Sequence, residues 1–261
     1  DADGDLDLIF STVNDGIRFF VNRGNRTFFE LSDPLSGFAV DDPPSDFAIA
    51  DLDRDLDLDL VTVHPKSGRV GVVENLLHLQ FRGRYVEEID PISGVGSVKV
   101  EDVDGNVSWD LIVGGTEQVA IVFSQTADAG VWTVDNIVES QHSGSGMLVA
   151  DFDNDSWIDV LVQNESQVEL SRLGPWGFSD WLGVDIDLEE KLIPNAAWVS
   201  ADFDQDGAND LVGHPEASLT VLLNQSLNLG HHLDVRFKGI DDNASGRVNH
   251  YAIGSVLELR F

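Results

Sequence analysis

The sequence predicts an all-β fold built from repeated units of about fifty residues, and three observations support this prediction. A nine-residue acidic motif recurs along the chain, and its four complete copies begin at Asp51, Asp102, Asp151 and Asp202. A short apolar or alternating run precedes each complete copy, and a β-branched run follows it. Further runs of strand character separate each copy from the next. Four short strands in a repeat of this length are typical of one blade of a β-propeller.

The motif is a candidate metal-binding loop, and its clearest copy is DFDQDGAND at residues 202–210. Carboxylates stand at its first, third, fifth and ninth places, so a tight turn directs their oxygens toward one point. Calcium takes about six to eight oxygen ligands from flexible loops, and a backbone carbonyl at the seventh place adds another. Gly207 at the sixth place lets the chain reverse without a Cβ penalty. The motif therefore predicts one calcium ion per loop.

We number the five copies of the motif loops 1 to 5 in chain order. Loop 1 is aligned on its ninth residue, Asp7, and its first ligand then falls before residue 1. Loop 3 has the neutral Asn106 at its fifth place, so we expect weaker binding there, with Glu101 adding compensating negative charge nearby. The candidate ligands are Asp1, Asp3 and Asp7 in loop 1; Asp51, Asp53, Asp55 and Asp59 in loop 2; Asp102, Asp104, Asn106 and Asp110 in loop 3; Asp151, Asp153, Asp155 and Asp159 in loop 4; and Asp202, Asp204, Asp206 and Asp210 in loop 5.

Each unit is predicted to contain four strands, the first two joined by the acidic loop. The predicted first strands are FAIA, SVKV, MLVA and AWVSA, and the second strands are LIFSTV, LVTVH, LIVGG, VLVQ and LVGH. The predicted third strands are IRFFVN, VGVVEN, VAIVF, QVELS and LTVLLN, and the fourth are TFFEL, YVEEI, VWTVD and WLGVD. Five blades are visible in this pattern.

Composition limits the classes of partner. The chain has 261 residues, 47 acidic against 15 basic side chains, and a formal net charge of -32. Such a charge repels nucleic acid and anionic membrane surfaces and attracts cations. Cysteine is absent, so disulfides and thiolate metal sites are excluded. No apolar run reaches the length of a membrane span and no signal peptide is visible. Because the chain begins inside loop 1, we expect an N-terminal part, with one or two further blades, to precede it.

The repeated spacing DxDxDGxxDL followed by a strand resembles the FG-GAP or VCBS repeat over residues 1–228. Members of that family are calcium-bound propeller blades, so the resemblance implies the same fold and the same ion. The glycine that follows the third ligand of the motif is kept here as Gly4 and Gly207. The residues that replace it in the other loops are Leu56, Val107 and Ser156. We expect the turns of those three loops to be less relaxed.

The tail at residues 229–261 lacks the acidic motif. Its sequence NHYAIGSV, from Asn249 to Val256, follows the strand-like run HHLDVRFKG and resembles the start of the ASPIC/UnbV domain. The related family pattern reads N-R-x-A-I-G-A-x-V, so His250 stands where the family has Arg. Together the two resemblances point to the cartilage acidic protein family, whose members join such a propeller to such a tail. The resemblance implies a partial small β domain after residue 228.

Catalysis and metal binding by histidine are the other roles open to these residues. Paired carboxylates serve as a catalytic acid and base only when their environments separate their pKa values. Here the pairs recur in equivalent loops, so metal binding explains all of them together and no catalytic residue is predicted. The seven histidines form no spaced metal set. His64 and His214 hold comparable places after the second strands of their blades, either on the blade surface or facing a common channel.

Two groups of residues keep two interpretations each. Five tryptophans either pack between blades or stack on a sugar ring, and they are Trp109, Trp157, Trp176, Trp181 and Trp198. Sequons that are either glycan acceptors or polar turn residues lie at Asn25, Asn106, Asn154, Asn164, Asn224 and Asn243.

The sequence therefore predicts a secreted, extracellular or periplasmic, non-enzymatic calcium-binding β-propeller that acts as an interaction or adhesion module. Its expected partners are calcium and a protein or glycan, with no nucleic acid and no insertion into a membrane. The alternative is an accessory or catalytic part of an extracellular hydrolase or lyase active on carbohydrate or lipid, because FG-GAP-like blades also occur attached to such enzymes.

Overall fold

The computed structural model describes residues 6–12, 16–32, 35–55, 57–124, 134–140, 142–144, 146–163, 168–184, 198–213, 219–226, 230–233 and 235. Within these ranges the regular structure consists of β-strands in five antiparallel sheets, which confirms the all-β class. No helix among the described residues is long and apolar enough to cross a membrane. The boundary near residue 228 stays a prediction, because most of the tail lies outside these ranges.

The five sheets follow one another along the chain, and we call them blades 1 to 5. Blade 1 contains β1 (Leu8–Thr12), β2 (Gly16–Asn22) and β3 (Phe28–Glu30). Blade 2 contains β4 (Asp46–Ala50), β5 (Asp59–His64), β6 (Arg69–Asn75) and β7 (Phe81–Tyr85). Blade 3 contains β8 (Ser97–Glu101), β9 (Asp110–Gly114), β10 (Val119–Ser124) and β11 (Val134–Ser140). Blade 4 contains β12 (Leu148–Ala150), β13 (Asp159–Gln163), β14 (Val168–Gly174), β15 (Gly177–Phe178) and β16 (Leu182–Val184), and blade 5 contains β17 (Trp198–Ala201), β18 (Asp210–Gly213) and β19 (Thr220–Leu222).

The acidic loop joins the first two strands of the sheet in blades 2 to 5, as predicted. The strand register pairs the residue before each loop with the ninth residue of that loop. These pairs are Ala50 with Asp59, Glu101 with Asp110, Ala150 with Asp159, and Ala201 with Asp210. The ninth aspartate is therefore the first residue of a strand, so the sheet holds it in place rather than the turn.

The fourth strand of blade 2 differs from the prediction. The sequence predicts a strand at residues 85–89, whereas β7 is Phe81–Tyr85. The chain turns back directly after β6, because residues 77–79 all adopt positive φ angles between 53° and 64°. Leucine and histidine seldom adopt this conformation, so their presence did not signal a turn. The apolar side chains of Val86 and Ile89 leave the sheet and are buried in the core.

The apolar core lies between successive blades. Every residue of β5 and of β9 is buried, because each of these strands has a neighbouring blade on both sides. One buried residue from each blade of a pair illustrates the contacts: Phe19 and Leu60 for blades 1 and 2, Val63 and Leu111 for blades 2 and 3, and Ile121 and Val160 for blades 3 and 4. Burial on both faces explains why the second strands are continuous β-branched runs rather than alternating ones.

His64 lies in this core, so its predicted surface position is wrong. The ring is fully buried, Nδ1 donates to the carbonyl oxygen of Asp42 at 2.8 Å, and Nε2 accepts from the Thr62 hydroxyl at 3.1 Å. The Phe38 ring lies beside it with centroids 4.4 Å apart. Burial lowers the pKa of His64 below its usual value. The side chain is therefore neutral at neutral pH and has a structural role.

Candidate metal sites

The ninth residue of each loop anchors that loop to its blade. In loop 2 the buried carboxylate of Asp59 accepts hydrogen bonds from the backbone N–H groups of Leu52 at 3.1 Å and Asn75 at 2.9 Å. The bond from the second residue of the loop recurs from Val103 to Asp110 (2.9 Å), from Phe152 to Asp159 (2.9 Å) and from Phe203 to Asp210 (2.8 Å). These carboxylates satisfy buried backbone donors, so they hold the loop ends together through protein contacts alone.

An asparagine that ends the predicted third-strand run completes this anchor in three blades, and it was not among the predicted site residues. Asn75 donates its backbone N–H to Asp59 and its side-chain amide to the carbonyl oxygen of Leu58 at 3.3 Å. Asn22 and Asn224 make the same two kinds of bond in blades 1 and 5. The sequence signal is the asparagine that ends the runs IRFFVN, VGVVEN and LTVLLN.

Side-chain to backbone hydrogen bonds shape the turn itself. The first aspartate accepts from the backbone N–H of the sixth residue, as Asp102 does from Val107 (2.9 Å), Asp151 from Ser156 (2.9 Å) and Asp202 from Gly207 (3.0 Å). The third and fifth side chains accept from the backbone N–H two residues further on, for example Asp53 from Asp55 (3.1 Å) and Asp206 from Ala208 (2.9 Å). Such Asx turns replace the backbone bonds that a loop otherwise lacks.

Each described loop turns through left-handed residues at the fourth and sixth places. At the fourth place these are Arg54 (φ 61°), Gly105 (φ 73°), Asn154 (φ 56°) and Gln205 (φ 66°). At the sixth place they are Val107 (φ 71°), Ser156 (φ 74°) and Gly207 (φ 93°), while Leu56 lies outside the described residues. The sixth place was expected to need the left-handed conformation that glycine favours, and this is confirmed for loops 3 to 5. The fourth place is a second such position that the sequence analysis did not identify.

We expect Val107→Gly to raise the melting temperature, because a β-branched residue is strained at φ 71°. Left-handed backbone costs a non-glycine residue roughly 1–2 kcal/mol, and the entropy of glycine offsets about half of the gain. For a chain of this size the net effect is a rise of about 1–4 °C. The matched variant is Gly105→Ala, at φ 73° with no atom within 4 Å of a built Cβ, which should lower the melting temperature by a similar amount through the backbone alone. Calorimetry that gives both variants the wild-type melting temperature would contradict the assigned strain.

Carboxylate oxygens converge in four of the loops. In each of these loops three aspartates offer oxygens that all lie within 4.8 Å of one another. The groups are Asp51, Asp53 and Asp59; Asp102, Asp104 and Asp110; Asp151, Asp153 and Asp159; and Asp202, Asp204 and Asp206. The predicted ligands Asp55, Asp155 and Asp210 fall outside their groups. The four groups could hold a metal ion, and oxygen-only donors suit hard cations such as calcium.

Crowding makes these carboxylates hard to ionise in the protein alone. Burial, together with neighbouring carboxylates, raises the pKa of Asp59 and of Asp159 to about 6. The same causes raise the pKa of Asp57 to about 7. Burial and the nearby Asp102 raise the pKa of Glu101 to about 7, so at neutral pH it adds less charge to loop 3 than the sequence suggests. A bound cation reverses the sign of this interaction by favouring the ionised form.

Two buried oxygens indicate that the loops fit a cation. Oδ1 of Asp57 and Oδ1 of Asp102 are buried and accept no hydrogen bond from any described residue. A buried acceptor without a donor is costly, and an ion coordinated by oxygens removes that cost. Asp57 stands at the seventh place of loop 2, where the sequence analysis counted only a backbone carbonyl. The acidic residue at every second position from 51 to 59 is the signal that identifies it.

Two fifth-place residues already have partners within the protein. In loop 4, Asp155 forms an ion pair with Arg172 at 2.6 Å, which competes with metal binding. In loop 3, the side-chain amide of Asn106 donates to Asp104 at 3.1 Å, and its Oδ1 accepts from the backbone N–H of Ser108 at 2.7 Å. In both loops the tight group of carboxylates consists of the first, third and ninth residues.

The described tryptophans separate into packed and exposed ones. Trp109 donates its indole N–H to the carbonyl oxygen of Asp51, and Trp181 stacks on His142 with centroids 4.2 Å apart. These two pack as inter-blade residues. Trp157 is 38% exposed at the seventh place of loop 4, and Trp176 is 94% exposed at the turn between β14 and β15. Trp176 is therefore free to contact a ligand.

The side-chain amides of two sequon asparagines donate hydrogen bonds within the protein. Asn224 donates Nδ2 to the carbonyl oxygens of Phe152 at 2.8 Å and Asn209 at 3.2 Å, and Asn154 donates Nδ2 to Gly207 at 2.7 Å. A glycan attached to Nδ2 would disrupt these bonds, so both residues are structural. The predicted residues that lie outside the described ranges are Asp1, Asp3, Gly4, Asn164, His214, Asn243 and the ASPIC/UnbV-like segment Asn249 to Val256.

Comparison with known proteins found a repeat match over part of the chain and a solved structure of similar fold. Residues 1–62 match the model of the FG-GAP-like repeat. This match contains loops 1 and 2, which the sequence predicts to belong to the same repeat, and it ends within β5, the strand that follows loop 2. Curated protein sequences gave no match.

A solved structure with a similar fold is that of a lectin from Agrocybe aegerita, described as specifically recognising non-reducing terminal N-acetylglucosamine. The TM-score is 0.56 at 18% sequence identity, and the alignment covers 87% of this chain and 62% of the lectin chain. This chain thus spans less than two thirds of the length of the lectin. At this identity the likeness establishes a shared β fold.

Proposed function

We propose that this chain is a non-enzymatic, calcium-binding propeller module that acts outside the cytoplasm and binds a glycan. The observation that carries the proposal is the repetition of one loop geometry, with three converging carboxylates in loops 2 to 5. A catalytic dyad needs one pair of unlike groups at a single site, whereas here similar carboxylate groups recur in four loops. The FG-GAP-like match over residues 1–62 supports the same interpretation.

Calcium suits these loops better than magnesium. The loops offer several carboxylates and backbone carbonyls on turns at the protein surface, and the larger ion accepts six to eight oxygens in a flexible arrangement. Magnesium requires a nearly ideal octahedron and keeps much of its water. Extracellular calcium modules bind with dissociation constants of about 10⁻⁴–10⁻³ M, which suits loops whose fifth ligand is already paired or neutral, as at Asp155 and Asn106.

Isothermal titration of the whole chain tests the metal assignment. We expect several calcium ions to bind per chain and magnesium to bind at least about tenfold more weakly, because the loops do not impose an octahedron. Asp204→Ala should remove one calcium equivalent, whereas Val40→Ala, at a fully exposed position outside the loops, should remove none. Equal affinity for calcium and magnesium would contradict the calcium assignment.

The proposed glycan surface lies beside loop 4. The Trp157 ring packs on Gly174, where a built Cβ would lie 2.9 Å from it, and Gly174 begins the turn that carries Trp176. Two indoles, one of them almost fully exposed, thus lie at one end of blade 4 next to a calcium loop. Aromatic faces stack on apolar faces of sugars, and the net charge of -32 disfavours acidic glycans. A neutral sugar is therefore the favoured ligand, as in the lectin of similar fold.

A glycan array probed with the whole chain tests this surface. We expect binding to neutral glycans in calcium that is reduced by chelator, since closure of loop 4 fixes Trp157 beside the turn. Trp176→Ala should lower affinity by about tenfold, the loss expected for one desolvated aromatic anchor, while Val40→Ala serves as the matched exposed control. Unchanged glycan binding by Trp176→Ala would place the ligand elsewhere, and capture of proteins without any glycan would favour a protein partner.

A further inference from the structure

Hydrogen bonds join certain neighbouring loops directly. The Trp109 indole N–H, at the eighth place of loop 3, donates to the carbonyl oxygen of Asp51 in loop 2 at 2.7 Å. The side-chain amide of Asn209, at the eighth place of loop 5, donates to the carbonyl oxygen of Asp151 in loop 4 at 2.8 Å. In both cases the acceptor residue is the first candidate ligand of its loop. Different side chains thus make the same contact at the same place.

A second bond runs in the opposite direction within the same two pairs of loops. Arg54, at the fourth place of loop 2, donates to the carbonyl oxygen of Val107 at the sixth place of loop 3. Asn154, at the fourth place of loop 4, donates to the carbonyl oxygen of Gly207 at the sixth place of loop 5 at 2.7 Å. Each pair is therefore linked through its left-handed turn residues as well as through its first ligand residue.

Loops 3 and 4 cannot be joined in this way. The eighth place of loop 4 is Ile158 and the fourth place of loop 3 is Gly105, and neither residue has a side-chain donor. Blades 3 and 4 still share a large apolar core, so the interruption affects the loops and not the packing of the blades. The residue types therefore divide the loops into the pair 2 and 3 and the pair 4 and 5.

We propose that these pairs are units of cooperative calcium binding, loop 2 with loop 3 and loop 4 with loop 5, with Trp109 and Asn209 as the coupling residues. This rests on the proposed function, since it requires calcium in the loops. An ion that orders one loop also fixes the donors and acceptors offered to its partner. The second ion then binds to a loop that is already partly ordered, which is positive coupling through conformational entropy. The effect is reciprocal within a pair and absent between loops 3 and 4.

Loop 4 provides the test, because it has a bonded neighbour on one side and an unbonded one on the other. Amide hydrogen exchange of residues 151–159 in the whole chain is followed as calcium is titrated. Asp204→Asn in loop 5 should raise the calcium midpoint of loop 4 about fivefold, the lower end of the usual range for coupled sites. Asp104→Asn in loop 3 is the matched control, since it changes the same place and the same charge, and it should leave the midpoint unchanged.

A third variant assigns the coupling to its residue. Asn209→Leu keeps the size of the side chain and removes the donor, so in its presence Asp204→Asn should raise the midpoint by only about twofold. If Asp104→Asn and Asp204→Asn shifted the calcium midpoint of loop 4 equally, or if neither shifted it, the pairing would be overturned. The proposed function would still hold in that case, provided that calcium protects loop 4 from exchange. Absence of calcium-dependent protection in every loop would overturn both.

Discussion

Chelation of calcium is expected to lower the melting temperature of the chain by about 10–20 °C. If each of loops 2 to 5 is filled at about ten times its dissociation constant, each site adds roughly 1.4 kcal/mol to the free energy of unfolding. Four such sites together add roughly 6 kcal/mol, which rivals the stability of an ordinary domain. For a chain of this size each kcal/mol shifts the melting temperature by about 2–4 °C.

The physical origin of this effect is the crowding of carboxylates in the empty loops. Neighbouring carboxylates and burial raise the pKa of Asp57 to about 7 and of Asp59 to about 6. At neutral pH the metal-free chain must therefore either hold repelling charges together or take up protons. A dication bound in the loop would relieve both, and it would also offer a partner to buried oxygens such as Oδ1 of Asp57 and of Asp102.

Scanning calorimetry in calcium, in magnesium and in chelator at equal ionic strength measures the effect. Magnesium at the same concentration is the control for general screening of the net charge, because such screening acts alike for both dications. We expect magnesium to recover less than half of the stabilisation. A melting temperature that is the same in chelator and in calcium would mean that hydrogen bonds alone hold the loops.

The sequence predicted the loops and their hairpins because both follow from strict spacing. In loops 2 to 5 the aspartate at the ninth place begins the second strand, as Asp59 and Asp110 do. The prediction was wrong for the fourth strand of blade 2, because leucines and a histidine at residues 77–79 adopt a conformation that their side chains disfavour. Contacts with the surrounding sheet and core impose this conformation, and such tertiary contacts cannot be predicted from a local sequence pattern.

The site was predicted less completely than the fold. The periodic acidic residues gave the loop positions, but not which oxygens converge, because that depends on partners distant in sequence. Arg172 engages Asp155, and Asn75 donates to Asp59 from the far end of β6. His64 was misplaced on the surface for the same reason: its partners, Asp42 and Phe38, precede it by more than twenty residues.

Asp59→Ala is expected to destabilise the chain strongly, whether or not calcium is present. Asp59 is 1% exposed, and its two oxygens satisfy the backbone N–H groups of Leu52 and Asn75. Alanine leaves both donors without an acceptor, the N–H of Leu52 buried and that of Asn75 partly buried, at about 1–3 kcal/mol each. The sum is roughly 4 kcal/mol, but removing Asp59 also relieves the burial and repulsion that raise its pKa to about 6, so about half of this loss remains and the melting temperature should fall by about 4–8 °C in chelator. In calcium the loss should be larger, since loop 2 also loses a ligand.

The matched variant in the same loop is Asp53→Ala. Oxygens of Asp53 and Asp59 lie within 4.8 Å of each other, but Asp53 accepts the N–H of its neighbour Asp55 rather than bonds from distant strands. Burial and nearby carboxylates raise the pKa of Asp53. Its removal should weaken calcium binding and relieve repulsion in the empty loop, so the melting temperature should fall in calcium and stay within about 1 °C of wild type in chelator. Calorimetry of the two variants in both conditions separates the roles of the two aspartates. If Asp59→Ala lowered the melting temperature only in calcium, the ninth aspartate would be a ligand without the anchoring role. If Asp53→Ala lowered the melting temperature as much in chelator as in calcium, the loop would be held by its turn bonds rather than by Asp59.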